Sequence, residues 1–330
     1  MLFSDAKLPR MDNNKDHGLL GLSRHRAILV SPDEKLKELL QSIWTPDVLE
    51  FSFYTEAKGA VEDLFNDPPD LLIVDNRLTD IPAVELARLV KSENVYRQLP
   101  VIICLDDADL AKPWDWNEIE VDDFLVRPFF MPVVRDRVNL TLCRAMRALD
   151  ANPLSKLPGN TSIIRRIQTL IDRQQDFALA YCDLDYFKSF NDKYGFSRGD
   201  EVLMLSARII VNTVKSFAGE QTFVGHVGGD DFVVITSPDI VEEVCQRIIF
   251  SFDGIVPNFY DLEDRKRKSI VSTDRQGNIQ TFPLMAISIA VVFNIDGRLK
   301  HFGEASAIAM GLKKKAKENP KSNYVLDRRN

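Results

Sequence analysis

Short apolar runs alternate with amphipathic stretches through the first 150 residues of the chain. "AILV" (Ala27–Val30), "LEFSFY" (Leu49–Tyr54), "DLLIVD" (Asp70–Asp75), "PVIICL" (Pro100–Leu105) and "DDFLV" (Asp122–Val126) each read as a strand. Helical patterns over Glu34–Trp44, around Ala57–Phe65 and over Ala83–Ser92 separate the first four. Continuous apolar strands joined by helices predict a doubly wound parallel sheet covered on both faces. Ligands of such sheets gather at the carboxyl ends of the strands. Here those ends carry Asp33, Asp75, Leu105 and Arg127.

A long helix follows over Met131–Asp150, with Val134, Val138, Leu142 and Leu149 near a three-to-four-residue repeat mixed with arginines. It packs on its own sheet, or its extension pairs with another subunit as a short coiled coil. "ANPLSKLPGN" (Ala151–Asn160) then breaks the helix with two prolines and a glycine and marks a boundary. Beyond it the pattern changes. A helix bears Ile163, Ile164, Ile167, Leu170 and Ile171, "FALAYCDLD" (Phe177–Asp185) is a strand ending in acids, and a helix opens near Phe187. Another helix is expected over Glu201–Val214, then a hairpin in "FVGHVGGDDFVVI" (Phe223–Ile235), a strand in "LMAISIAVV" (Leu284–Val292) and a lysine-rich helix over Glu304–Glu318. "DRQGN" (Asp274–Asn278) reads as the tip of an inserted hairpin. Strands and helices without strict βα alternation predict an α+β domain.

The chain of 330 residues is more than one comfortable core. The expected division is a loose tail over 1–24, an α/β domain over 25–130, a linker helix over 131–150 and an α+β domain over 151–330. Net charge is −7, from 49 acidic and 42 basic residues, which gives no electrostatic drive toward nucleic acid or a membrane surface. No apolar run approaches the roughly 20 residues that span a bilayer, and the polar "MLFSDAKLPRMDNNKDHG" lacks the apolar segment of a signal peptide. Cys104, Cys143, Cys182 and Cys245 show no paired spacing. Free thiols in a reducing cytoplasm are the expectation.

The hairpin raises the chemical question. A turn explains Gly228 and Gly229, which reach positive φ without a steric cost, and it explains one aspartate. Two adjacent acids, Asp230 and Asp231, call for a cation at the tip. If the strand ending at Asp183 lies alongside, three carboxylates converge in a way that suits magnesium carrying substrate phosphates. The helix opening at Phe187 offers backbone N–H groups to a phosphate, and Lys188 adds charge. Asn191 and Asp200, with "YGFSRGD" folding between them, can accept from the N1–H and N2 amino edge of guanine. Lys317 and Lys321, four apart near the end of the late helix, can hold distal phosphates. Each feature has a plainer explanation. An acid at a strand end is a helix cap, Gly-Gly-Asp is a turn, and a lysine run is a solvated face. Order and spacing favour the functional account.

Taken together, "DLDYFKSFNDKYGFSRGDEVL", "GGDDF" and "ISIAVV" resemble the GGDEF domain of the diguanylate cyclase family over nearly all of residues 151–330. The resemblance implies a nucleotidyl cyclase palm-like fold and a reaction in which two GTP-loaded domains of a homodimer form cyclic di-GMP and pyrophosphate. It implies Mg2+ (or Mn2+) on Asp183, Asp230, Asp231 and the Leu184 carbonyl. Guanine would lie on Asn191 and Asp200, with Lys188, Lys317 and Lys321 at phosphate and Asp230, Asp231 and Lys188 supporting catalysis. The fourth signature residue is Asp231 where the family has glutamate, shorter by about 1.5 Å. The family's product-inhibition motif falls on "EQTF" (Glu220–Phe223), without its arginine or aspartate.

The first half resembles the response-regulator receiver domain, a flavodoxin-like fold, through "ILVSPDE", "DLLIVDNRL" and "VRPF". That match implies Asp75 as phosphoacceptor for a histidine kinase and Asp33 as a magnesium ligand. Pro32 stands in place of one acid, Leu105 in place of the switch hydroxyl, and Arg127 in place of lysine. The resulting expectation is a cytoplasmic diguanylate cyclase regulated through a receiver-like domain. Two alternatives remain: a catalytically silent GTP-binding sensor, and a synthase of mixed cyclic GMP-AMP, against which Asp200 argues.

Overall fold

The computed structural model describes residues 24–93, 96–115, 118–217, 222–273 and 279–327. The expected tail therefore lies almost wholly outside the described residues, as do the tip Asp274–Asn278 and, of "EQTF", Glu220 and Gln221. The chain divides into two compact units, Met1–Leu149 and Asp150–Asn330.

In the first unit, β1 (His25–Val30), β2 (Leu49–Tyr54), β3 (Leu71–Asp75), β4 (Val101–Leu105) and β5 (Asp123–Val126) form one parallel sheet in the order β2-β1-β3-β4-β5. This is the flavodoxin-like order expected of a receiver. The strands are apolar throughout because both faces are covered. Ala27, Leu29, Ile73 and Ile102 face α1 (Glu34–Ile43) and α5 (Met131–Asp150). Ile28, Val30, Leu72 and Val74 face α2 (Ala57–Asn66) and α3 (Ala83–Ser92). A short α4 (Asp107–Leu110) follows β4. Val134, Val138 and Leu142 bury the first part of α5 against its own sheet, whereas Leu149 near its end is 62% exposed.

The second unit is built on a sheet of order β12-β11-β6-β8-β7. Its centre is β6 (Phe177–Asp185), antiparallel to both β11 (Ala286–Asn294) and β8 (Asp231–Thr236), with β7 (Phe223–Gly228) and β12 (Asn323–Leu326) at the edges. One face packs on α7 (Phe187–Tyr194), α8 (Phe196–Ser216) and α9 (Val241–Ile255). The other packs on α6 (Asn160–Asp172) and α11 (Phe302–Ala316). A short α10 (Leu262–Arg267) leads into β9 (Ser269–Thr273), which pairs antiparallel with β10 (Ile279–Pro283) as the arms of the inserted hairpin.

Two sequence expectations need correction. The helix expected over Glu201–Val214 begins five residues earlier: Gly195, at φ 84°, breaks the chain between α7 and α8, and Phe196 already begins α8. Asp200 is thus helical. Second, α11 ends at Ala316, and Lys321 lies in the turn that follows Pro320, so Lys317 and Lys321 do not share a helix face. Among the described residues no helix is long and apolar enough to cross a membrane.

Candidate active site

The register of β6 against β8 sets Asp183 opposite Asp231, so the strand-end acid and the hairpin acid are neighbours. Asp230 sits in the turn between β7 and β8, and the Leu184 N–H donates to its carbonyl at 3.3 Å. Gly228 and Gly229 have φ values of 147° and 58°, and a Cβ on either would meet nothing within 4 Å, so open space lies over their backbone. Beneath the turn is a residue that sequence reasoning passed over. His226 is buried, stacks on Phe232 at 4.2 Å, and bonds through Nδ1 to Ser155 Oγ at 2.8 Å and through Nε2 to the Gly229 carbonyl at 3.0 Å. Burial pulls its pKa down. A neutral ring protonated on Nε2 satisfies both bonds and holds the turn from below. The available signal was a polar side chain inside an otherwise apolar strand.

The charges differ from the expected convergence of three carboxylates. Among the described residues no group of three or more His, Cys, Asp or Glu side chains is arranged to hold a metal ion. Two lysines of the α11 end stand there instead. Lys313 Nζ bridges Asp183 Oδ2, at 2.5 Å, and Asp231 Oδ1. Lys317 Nζ lies 2.6 Å from Asp183 Oδ1 and 3.6 Å from Asp185. Burial works against the Asp183 charge, yet hydrogen bonds from Lys313 and Lys317 outweigh it and hold its pKa below the ordinary carboxylate value. Burial pushes Asp185, Asp230 and Asp231 upward; at Asp230 the neighbouring Asp183 charge adds to the effect. Four carboxylates thus share two ammonium groups, and the cluster lacks positive charge. That deficit is the respect in which these residues fit a divalent cation, with Asp183, Asp230 and Asp231 as the available oxygen donors.

The other side of the site is framed by α7 and the first turn of α8. Phe190, Tyr194 and Tyr260 hold α7 in place, with Phe190 centroids 4.8 Å and 5.1 Å from the two tyrosines. Full burial of Phe190 stabilises this corner by about 1.5–3 kcal/mol. The Phe187 side chain belongs to the same core, so its contribution toward a ligand is limited to the backbone N–H at the start of the helix. Lys188 and Asp200 are exposed. Asn191 Oδ1 is buried and has no hydrogen-bond partner, and it lies against Gly199: a Cβ at Gly199 would stand 1.9 Å from Asn191 Oδ1 and 2.9 Å from its Cγ. The glycine makes room for the carboxamide. An unpaired acceptor of this kind is costly unless a ligand donates to it. Lys321 is exposed and apart from the carboxylates that Lys313 and Lys317 neutralise.

In the first unit, Asp75 is fully buried at the end of β3. Its carboxylate accepts from Ser31 Oγ at 2.5 Å, from the Arg77 N–H at 3.0 Å, and from the Arg127 guanidinium. Arg127 Nε also reaches Asp33 Oδ2 at 3.3 Å. Asp33 caps α1, accepting from the Lys35 and Leu36 amides. The acid beside the missing hydroxyl, Asp106, is bound by Arg77 at 2.7 Å.

Residues 150–256 match the family model described as "Diguanylate cyclase, GGDEF domain". This segment of the second unit is thus a GGDEF domain, and the amino-terminal half is a receiver-like parallel sheet. The chain is a distant relative of the response regulator PleD of Caulobacter vibrioides, at 26% identity over 198 residues, 55% of this chain and 42% of the relative. It is also similar to diguanylate cyclase DgcP of Pseudomonas aeruginosa, at 30% identity over 104 residues, covering 29% of this chain and 15% of that protein. The chain therefore spans less than half the length of these curated relatives. Among solved structures it is similar to the GGDEF domain of DgcB from Caulobacter crescentus in complex with c-di-GMP. That match has 16% identity and a TM-score of 0.38, over 54% of this chain and 95% of the other.

Proposed function

We propose that the chain is a diguanylate cyclase, condensing two GTP into cyclic di-GMP with release of two pyrophosphates. The observation that carries the reading is the pairing of an acid-rich strand end, Asp183 beside Asp231, with the unpaired Asn191 acceptor across the start of α7. Asn191 and Asp200 accept from the guanine edge, and the Phe187 amide and Lys188 receive phosphate oxygens. The Gly228-Gly229 backbone lets the nucleotide lie close to the turn. Asp183, Asp230 and Asp231, with the Leu184 carbonyl, would hold Mg2+ or Mn2+, which when bound neutralises charge on the transferring phosphate. Lys317 and Lys321 serve the distal phosphates once Lys317 leaves Asp183. The ribose 3′-oxygen of one GTP attacks the α-phosphorus of the other, which loses pyrophosphate; the second bond forms likewise. Two such sites must face each other, so a homodimer is required, with control through the receiver-like half.

A second reading, a silent GTP-binding sensor, is favoured by the lysine bridge across Asp183 and Asp231. Incubation of the purified chain with GTP and magnesium, with products separated by mass, tests both. Cyclic di-GMP is the expected product. GTP binding without turnover supports the sensor, and mixed cyclic GMP-AMP from GTP plus ATP supports the remaining alternative.

A further inference from the structure

A cation already lies where two of the candidate metal-binding carboxylates meet. The Lys313 ammonium touches Asp183 Oδ2 at 2.5 Å and also Asp231 Oδ1, each on a different strand of the central sheet. A divalent ion shared by these aspartates would use the same oxygens. The lysine is not a wandering surface group. Its side chain is 23% exposed, against 43% for Lys317, and it projects from α11, whose Ala305 and Ala309 are buried against the sheet. Its neighbours Lys314 and Lys315 are exposed, as a solvated helix face would be. Asp230 takes no ion pair among the described residues.

We propose that Lys313 is a built-in competitor for the divalent cation: its ammonium must leave the oxygens of Asp183 and Asp231 before a metal ion can bridge them. The inference rests on the reading of Asp183 and Asp231 as metal ligands. Its physical basis is exchange. A cation entering an empty carboxylate pair gains the full attraction, whereas one entering here gains only the excess over an ammonium already held at hydrogen-bond distance in a partly desolvated site. Shortening the fourth signature residue to Asp231 draws the hairpin acid back toward its strand. Lys313 reaches both acids across the gap. The metal affinity of the chain is then set by Lys313 as much as by the carboxylates.

The test measures Mn2+ binding to the full-length protein without nucleotide, by electron paramagnetic resonance of free Mn2+ and by titration calorimetry. Lys313→Met, which keeps the stem and removes the charge, should bind Mn2+ at least about tenfold more tightly than wild type. Lys313→Arg should stay near wild type, and Lys314→Met, one residue along and not engaged, should not change. The gain should vanish in the double variant Lys313→Met with Asp183→Asn. Thermal melting of each variant shows that it is folded, and Lys313→Arg, which keeps the charge, separates loss of competition from loss of packing. If Lys313→Met binds Mn2+ no more tightly than wild type while Asp183→Asn weakens binding, the competitor role is overturned and the metal-site reading stands. If neither wild type nor Lys313→Met binds Mn2+, both are overturned.

Discussion

Replacing Gly199 by alanine perturbs the base-reading corner with a single methyl group. The new Cβ would stand 1.9 Å from Asn191 Oδ1 and 2.9 Å from Asn191 Cγ. A comfortable contact between heavy atoms is roughly 3.5–4.0 Å, so the carboxamide must rotate or retreat by more than about 1 Å. Either motion takes the Asn191 acceptor out of reach of a guanine donor positioned for the native side chain. A donor left unpaired in the complex costs about 1–3 kcal/mol, which is about 5–150-fold in GTP affinity. The fold should not suffer in step. Gly199 is helical, and alanine is better than glycine in a helix interior by about 0.8–1.0 kcal/mol, which works against the cost of moving the Asn191 side chain. The expected result is therefore a split: KM for GTP rises by about 5–150-fold while the thermal midpoint holds. Steady-state kinetics on the full chain with calorimetric melting measures both. An unchanged KM in a variant with unchanged Tm would refute the assignment of Asn191 to the base. A fall in Tm with proportionate loss of activity would mean that Gly199 serves only packing.

Three further outcomes follow from the geometry. Arg127, Ser31 and the Arg77 amide already occupy the buried Asp75 carboxylate, so a small phosphodonor with magnesium should add little phosphate to the protein; a stoichiometric mass increase that Asp75→Ala abolishes would show the pocket to be open. The Lys112 hydrogen bond, followed by the Asp106 N–H, lowers the Asp109 pKa from 3.8 to about 2, so its contribution to stability is present above the ordinary carboxylate value and lost as pH falls toward 2. Urea midpoints of wild type and Asp109→Asn should then converge as the solution is acidified, and parallel curves would contradict this. Burial pushes the Cys245 thiol up to about 12 and raises Cys104 and Cys182 as well, whereas Cys143 is half-buried. A disulfide reagent should modify Cys143 first in the native protein and the other three after denaturation; fast modification of several thiols would disprove it.

The parallel sheet was legible because each of its strands is apolar along its whole length, a pattern that two covered faces impose. The hairpin was legible because Gly228 and Gly229 take the positive φ values their identity foretold. The start of α8 was not. Phe196 to Asp200 contains two glycine-flanked polar residues that look like a turn, and the helix there is fixed by α7 and the sheet behind it, which no local pattern records. Lys313 was hidden for a related reason. In "LKKKAKE" three consecutive lysines look equally solvated, and only the packing of Ala305 and Ala309 rotates one of them onto the carboxylates. His226 shows the limit from the other side: the residue was visible, but its partner Ser155 is 71 positions away.

The lysines of α11 also bear on how the second unit comes together as it is made. Lys313 lies 82 positions after Asp231, and β12, which pairs beside β11, follows later still. On a chain emerging from the ribosome, the strand tips with their four acids are synthesised well before the groups that neutralise them. Until α11 docks, those acids repel one another across the very edge that β6 and β8 must share. Long-range pairings of this kind slow folding, because loop entropy is lost before the contacts return it. Helix α11 is thus a folding requirement for a site laid down 130 residues earlier, counting from Asp183 to Lys313.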